Sequence, residues 1–167
     1  MPEPLDPACI FAALSSAKVD YVLIGGLAAV LHGSTAMTND ADIVPDPEGA
    51  NLVRLSTALR ELGARLRSAT DPDGVPFDPH PELLASVAIL NMTTRCGDLD
   101  LTFAPSGTAG YGDLVQRAVP FKVGRRTVQV AALSDIIRSK EAAGRPKDHA
   151  VLPILYALEE EIGRLGT

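Results

Sequence analysis

The stretch 24-IGGLAAVLHGSTAMTNDADIV-44 sets two aspartates, Asp40 and Asp42, in a segment that otherwise reads as a buried strand. A buried carboxylate costs several kcal/mol unless it is paired or coordinates a metal, so something must stand opposite this pair. On the amino-terminal side, Tyr21 to Ile24 reads as a short buried strand ended by Gly25 and Gly26, and Leu27 to His32 as a helix capped by Gly33. On the carboxy-terminal side, Ala41 to Val44 reads as a second strand, stopped by Pro45 and Pro47. Strand side chains at i and i+2 share a face, so Asp40 and Asp42 point the same way while Ala41 and Ile43 face the core.

Further outward, Asp6 to Lys18 has the pattern of an amphipathic helix. Gly49 to Leu66 predicts another, with Leu52, Leu55, Leu59 and Leu62 as its core stripe. Asp71 to Glu82 is rich in proline and aspartate and predicts a loop. Val87 to Thr93 and Leu99 to Phe103 predict a hairpin across Arg95-Cys96-Gly97, Tyr111 to Ala118 a short helix, and Phe121 to Val130 a strand pair around Gly124. Ser134 and Asp135 open a helix ending at Gly144. Helical structure restarts at 145-RPKD-148 and runs toward Leu165, with Pro153 expected to begin a separate last helix. The chain is thus expected to be one α/β domain over 1–167, with a core of about 19–133 and carboxy-terminal helices over about 134–165. The expected architecture is a small mixed sheet flanked by helices.

The 167 residues are 46% hydrophobic and 22% charged, which favours a compact globule over disorder. No apolar run approaches the roughly 20 residues needed to span a bilayer, and MPEPLDPACI lacks a positive leader segment. The expectation is a cytoplasmic protein without membrane contact. Cys9 and Cys96 lie far apart without a His/Cys cluster, which predicts free thiols and no zinc site. His32, His80 and His149 show no ligand spacing. A net charge of −6 argues against nonspecific coating of nucleic acid, although Arg95, Lys122, Arg125, Arg126, Arg138, Lys140, Arg145 and Lys147 could form a local basic patch. Aromatic residues are only 4%, which disfavours a base-stacking platform.

A third acid, Asp100, stands in 97-GDLDLTF-103 between Leu99 and Leu101. If that strand lies beside the Asp40/Asp42 strand, three carboxylates converge, and their repulsion is relieved by a magnesium or manganese ion. Spacing alone is equally compatible with a turn capped by Asp40 in which Asp42 and Asp98 are solvated edge acids. No G-x-G-x-x-G or Walker A pattern is present, which leaves a dinucleotide site behind metal chemistry. In the helix 133-LSDIIRSKEAAGR-145, Lys140 falls on the stripe of Leu133, Ile136 and Ile137. It is either a snorkelling lysine or an ammonium fixed toward a phosphate. Arg145 and Lys147 extend such a wall or are surface charges, and Asp148 is expected to cap the helix after Pro146.

In combination, GGLAAVLHGSTAMTNDADIV, GDLDLTF and LSDIIRSKEAAGRPKD resemble the polymerase-β-like nucleotidyltransferase superfamily, and within it the AbiEii-type proteins of toxin-antitoxin pairs. The resemblance runs from about Tyr21 to Leu158. It implies transfer of a nucleoside monophosphate from a nucleoside triphosphate (NTP) to a hydroxyl, with two Mg2+ (or Mn2+) ions held by Asp40, Asp42 and Asp100. It places the metals on Asp40 and Asp42 and gives Asp100 the nucleophile-side metal and the attacking hydroxyl. It further implies a triphosphate bound by Gly25, Gly26, Gly33, Ser34, Thr38, Lys140, Arg145 and Asp148, with Lys140 catalytic. The acceptor so implied is RNA, such as a tRNA 3′ end, with a toxin role and a cognate antitoxin partner. The alternatives are an aminoglycoside-like small-molecule acceptor or a degenerate nucleotide- or partner-binding module. One departure is Ala36, where relatives commonly carry an arginine, a place that Arg95 or Arg145 is left to fill.

Overall fold

The computed structural model describes residues 2–166. Helix α1 (Pro7–Ser16) starts where the Asp6 carboxylate accepts the Cys9 N–H and Pro7 presets the first turn. Strand β1 (Tyr21–Ile24) runs directly into α2 (Gly25–His32), which closes on Gly33 in the left-handed region at φ 116°. Strand β2 (Asp40–Pro45) follows, then α3 (Gly49–Glu61), the short β3 (Arg65–Leu66) and α4 (Pro81–Ser86). The hairpin β4 (Ile89–Thr94) and β5 (Gly97–Thr102) leads to α5 (Tyr111–Leu114), a 3-10 turn (Val115–Arg117), and the hairpin β6 (Val119–Val123) and β7 (Arg126–Val130). Helices α6 (Leu133–Ala143) and α7 (Pro146–Leu165) end the described chain.

The strands form one mixed sheet in the order β3-β4-β5-β2-β1-β7-β6. Two neighbours are parallel, β2 with β5 and β1 with β7, and the others are antiparallel. Leu23, Ile43, Leu99 and Leu101 from the sheet and Ile10, Leu14, Leu55 and Leu59 from α1 and α3 are fully buried. Each such side chain contributes about 1.5–3 kcal/mol by leaving water.

Several expectations shift. Helix α3 stops at Glu61, because Leu62 caps it and Gly63 turns the chain at φ 61°, so Arg65 and Leu66 pair with β4 as a strand. The loop from Asp71 yields to helix at Pro81, where the His80 ring accepts the Leu83 N–H. Pro153 starts no new helix: it lies exposed inside a continuous α7. Cys9 and Cys96 are not free thiols but are joined as a disulfide, with Cα atoms 5.7 Å apart across 87 residues of sequence. The pair ties α1 to the β4–β5 turn, a proximity that exists only in three dimensions.

Candidate active site

Alternation along β2 works as its sequence predicts. Ala41 and Ile43 are fully buried, while Asp40 and Asp42 emerge together on the other face. Parallel pairing with β5 sets Asp42 in register with Asp100 and Asp40 with Asp98. Ligand oxygens of Asp40, Asp42 and Asp100 all lie within 4.8 Å of one another. This is an all-oxygen donor set of the kind Mg2+ or Mn2+ takes. Burial, and then the charges of Asp40 and Asp100, push the Asp42 carboxyl up to about 7. Burial likewise lifts Asp100 to about 6, against the opposing pull of Arg67.

The two glycines that open α2 make room for this cluster. Gly25 has φ 79°, and a Cβ there would stand 2.9 Å from the Asp42 Cγ; a Cβ on Gly26 would stand 3.0 Å from the Thr38 hydroxyl. Thr38 in turn donates to the Asp40 carbonyl at 3.1 Å and holds the entry to β2. The Gly33 and Ser34 N–H groups point elsewhere than the resemblance implies: they donate to Val30 and Ala29 carbonyls in the α2 cap. Of this pair, Ser34 lines the cleft, its hydroxyl accepting the Ala36 N–H.

The acids open into a cleft of about 750 Å³. Its far wall is built by α6 and α7 and carries Lys140, Arg145 and Lys147. Leu133, Ile136 and Ile137 anchor the inner stripe of α6, and Lys140 leaves that stripe toward the cleft with its side chain 17% exposed. Asp148 is not the helix cap. Arg145 occupies that position, and Asp148, at the third helical residue, completes a capping box. Its fully buried carboxylate accepts the Arg145 N–H at 3.1 Å and the Arg145 Nε at 2.7 Å, and lies 3.6 Å from Lys140 Nζ. Burial alone would raise the Asp148 carboxyl, but the Arg145 hydrogen bonds and the nearby charges of Arg145 and Lys140 outweigh it and hold it below its ordinary value. Asp148 thus aims two cations rather than facing the cleft itself.

The basic patch does not form as one surface. Arg138 pairs with Asp113 and Asp135, and Arg95 with the Glu61 carbonyl and the Cys9 sulfur, so Arg95 does not fill the place left by Ala36. Lys122, Arg125 and Arg126 belong to the β6–β7 hairpin at the sheet edge away from β5. Arg145, by contrast, lines the cleft together with Ala36.

Arg67 escapes the sequence-based reading. Its guanidinium reaches Asp100 at 2.7 Å, Asp98 at 3.2 Å and the Met92 carbonyl at 3.1 Å. The signal is present in retrospect, since Gly63 ends the helix and Ala64-Arg65-Leu66-Arg67 alternates as a strand does.

No family model and no curated protein matches the chain. Among solved structures it is similar to the lincosamide antibiotic adenylyltransferase LnuA in its lincomycin-bound form, with TM-score 0.59 and 15% identity over 93% of this chain and 99% of that one. It is also similar to the antibiotic-resistance factor ANT(2'')-Ia, with TM-score 0.56 and 16% identity over 94% of this chain and 82% of that one. The chain therefore has the nucleotidyltransferase fold, a mixed sheet with helices packed against it.

Proposed function

We propose that the protein is a metal-dependent nucleotidyltransferase that moves a nucleoside monophosphate from an NTP to a hydroxyl of a small molecule. The observation that carries this is the convergence of Asp40, Asp42 and Asp100 in a cleft whose opposite wall presents Lys140, Arg145 and Lys147. Asp40, Asp42 and Asp100 would hold two Mg2+ or Mn2+ ions, which supply charge compensation on the α-phosphate and on the leaving pyrophosphate. Lys140 and Arg145, steadied by Asp148, bind the β- and γ-phosphates, with Lys147 extending the wall. Gly25 and Gly26 let the backbone of α2 approach the nucleotide, while Thr38 and Ser34 order the loop beside it; Gly33 shapes that loop as the α2 cap. In the transfer, the acceptor oxygen forms a bond to the α-phosphorus, the bond to pyrophosphate breaks with its electron pair on the leaving oxygen, and Asp100 takes the hydroxyl proton. Positioning and electrostatics account for most of such catalysis.

The RNA acceptor, the toxin role and the antitoxin partner of the AbiEii-type resemblance rest on sequence motifs alone. Against an RNA end, no aromatic side chain among the described residues lines the cleft. The two similar structures carry antibiotic-directed names, which supports a small-molecule acceptor. No helix among the described residues is long and apolar enough to cross a membrane.

The test is transfer of label from each α-labelled NTP, with Mg2+ or Mn2+, to a mixed panel of hydroxyl compounds and to total RNA, comparing the native protein with Asp42→Asn. Label that appears with the native protein and vanishes in the variant is expected. Absence of nucleotide binding and of transfer with either metal overturns the reading.

A further inference from the structure

We propose that the acceptor is an uncharged hydroxyl compound with an apolar face, and that Arg67 is the residue that excludes polycationic acceptors; the proposal rests on the nucleotidyl-transfer reading above. The charge layout of the cleft divides it into two sides. Lys140, Arg145 and Lys147 stand on α6 and α7, and the polyanionic triphosphate belongs with them. The remaining wall, formed by β4, β5 and Arg67, is left for the acceptor.

On that wall Arg67 is fixed in place. One guanidinium nitrogen bonds Asp100 at 2.7 Å and Met92 O at 3.1 Å, and the Nε reaches Asp98 at 3.2 Å. A planar fork held at three points keeps its charge where it is, unlike a free lysine. Its side chain is still 35% exposed and lines the cleft. The acids that line the cleft are Asp40, Asp42 and Asp100, the three carboxylates proposed to hold metal. Asp98, the next acid on β5, is taken by Arg67. An acceptor rich in ammonium groups therefore finds no free carboxylate to pair with, because Arg67 already occupies Asp98 and the other three acids are committed to metal, and its ammonium groups would lose water without a partner.

The same wall suits a neutral molecule. Asn91, the register partner of Asp100, and Thr102 offer uncharged donors and acceptors. Ile89, 60% exposed, and Met37, 95% exposed, present apolar surface at the mouth. An anionic acceptor is disfavoured as well, because it would have to compete with two carboxylates for the Arg67 fork and approach a bound triphosphate.

A competition assay tests this. The native protein, an α-labelled NTP and Mg2+ are mixed with equimolar uncharged alkyl glycosides, polycationic aminoglycosides and a CCA-ended RNA oligonucleotide, and the labelled products are separated by charge. Label on the uncharged set is expected to exceed label on the polycations by about tenfold or more, the scale of one charge pair gained or missed near a protein surface. Arg67→Glu is expected to move that ratio toward the polycations by about tenfold or more, and Arg67→Gln in the same direction by less. Because all acceptors compete for the same nucleotide-loaded enzyme, loss of folded protein or of metal affinity cancels from the ratio. Preferential label on polycations or RNA, no label on any set while NTP·Mg2+ still binds by calorimetry, or a ratio indifferent to both substitutions overturns the proposal. Failure of the native protein to bind NTP·Mg2+ at all instead overturns the nucleotidyl-transfer reading, and the acceptor proposal falls with it.

Discussion

Asp42 and Asp100 are register partners across the parallel β2–β5 pair, and both carboxyls titrate well above the ordinary carboxylate range, Asp42 near 7 and Asp100 near 6. Burial is the first cause for each, and for Asp42 the neighbouring acids add to it. The fold thus holds together groups that oppose its own stability once ionised, as expected where a cation is meant to arrive.

Asp42→Asn removes one of these charges. In the absence of metal the variant is expected to unfold at a higher temperature than the native protein at pH 8, since each pH unit of displacement corresponds to about 1.4 kcal/mol. Transfer is expected to fall by about 10²-fold or more. Calorimetric unfolding and label transfer check the two halves separately, and a variant both less stable and fully active contradicts the account.

A pH dependence follows from the same shifts. The Asp42 carboxyl sits near 7 when folded and at an ordinary value of 3.8 when unfolded, so between about pH 4 and 7 the folded state binds more protons. Stability of the metal-free protein is therefore full below pH 4 with respect to this group and is lost as pH rises through 7. Mg2+ favours the ionised form and should reverse the loss. The rise in melting temperature on adding Mg2+ is expected to be larger at pH 8 than at pH 5.5, and equal rises would refute metal binding at these acids.

Gly25→Ala places a methyl group against the Asp42 carboxyl at a backbone φ of 79°. The strained backbone costs about 1–3 kcal/mol before the clash is counted. Urea denaturation should show that loss, together with weakened Mg2+ binding by calorimetry. Gly49→Ala, where a Cβ meets nothing within 4 Å, should leave both unchanged.

Lys140→Met separates phosphate binding from architecture. Asp148 keeps its Arg145 hydrogen bonds, so the α6–α7 junction should persist and the urea midpoint should move little. The KM for the NTP is expected to rise about tenfold, the mark of lost ground-state binding. An unchanged KM would remove Lys140 from the triphosphate wall.

Reduction of the Cys9–Cys96 bond opens a loop of 87 residues and is expected to lower stability by about 2–4 kcal/mol. Urea unfolding with and without dithiothreitol measures it, with intact mass after alkylation reporting whether both thiols are released.

The acidic pair was legible because a strand's two-residue period leaves Asp40 and Asp42 no face but one, and Asp100 followed from the same alternation in β5. The position of Lys140 on the cleft wall was legible from its place on a helical stripe. Arg67 was not, because the leucine stripe of α3 runs on past the glycine that ends the helix, and its partners Asp98 and Asp100 lie far along the chain. The Gly33 cap was legible from the glycine after His32, but the Ser34 hydrogen bond to Ala29 and the Cys9–Cys96 pair were hidden for a related reason. Each depends on where a turn points in space, which no periodicity encodes.

The parallel pairing of β2 with β5 also bears on how the chain acquires its site. Asp42 and Asp100 come from strands that cannot be joined by a tight turn, and α3, β3, α4 and β4 lie between them in sequence. Long-range parallel pairing forms slowly, because loop closure must precede the contacts that reward it. A nascent chain thus carries its acids scattered, and the three carboxylates come together only once the whole crossover has folded.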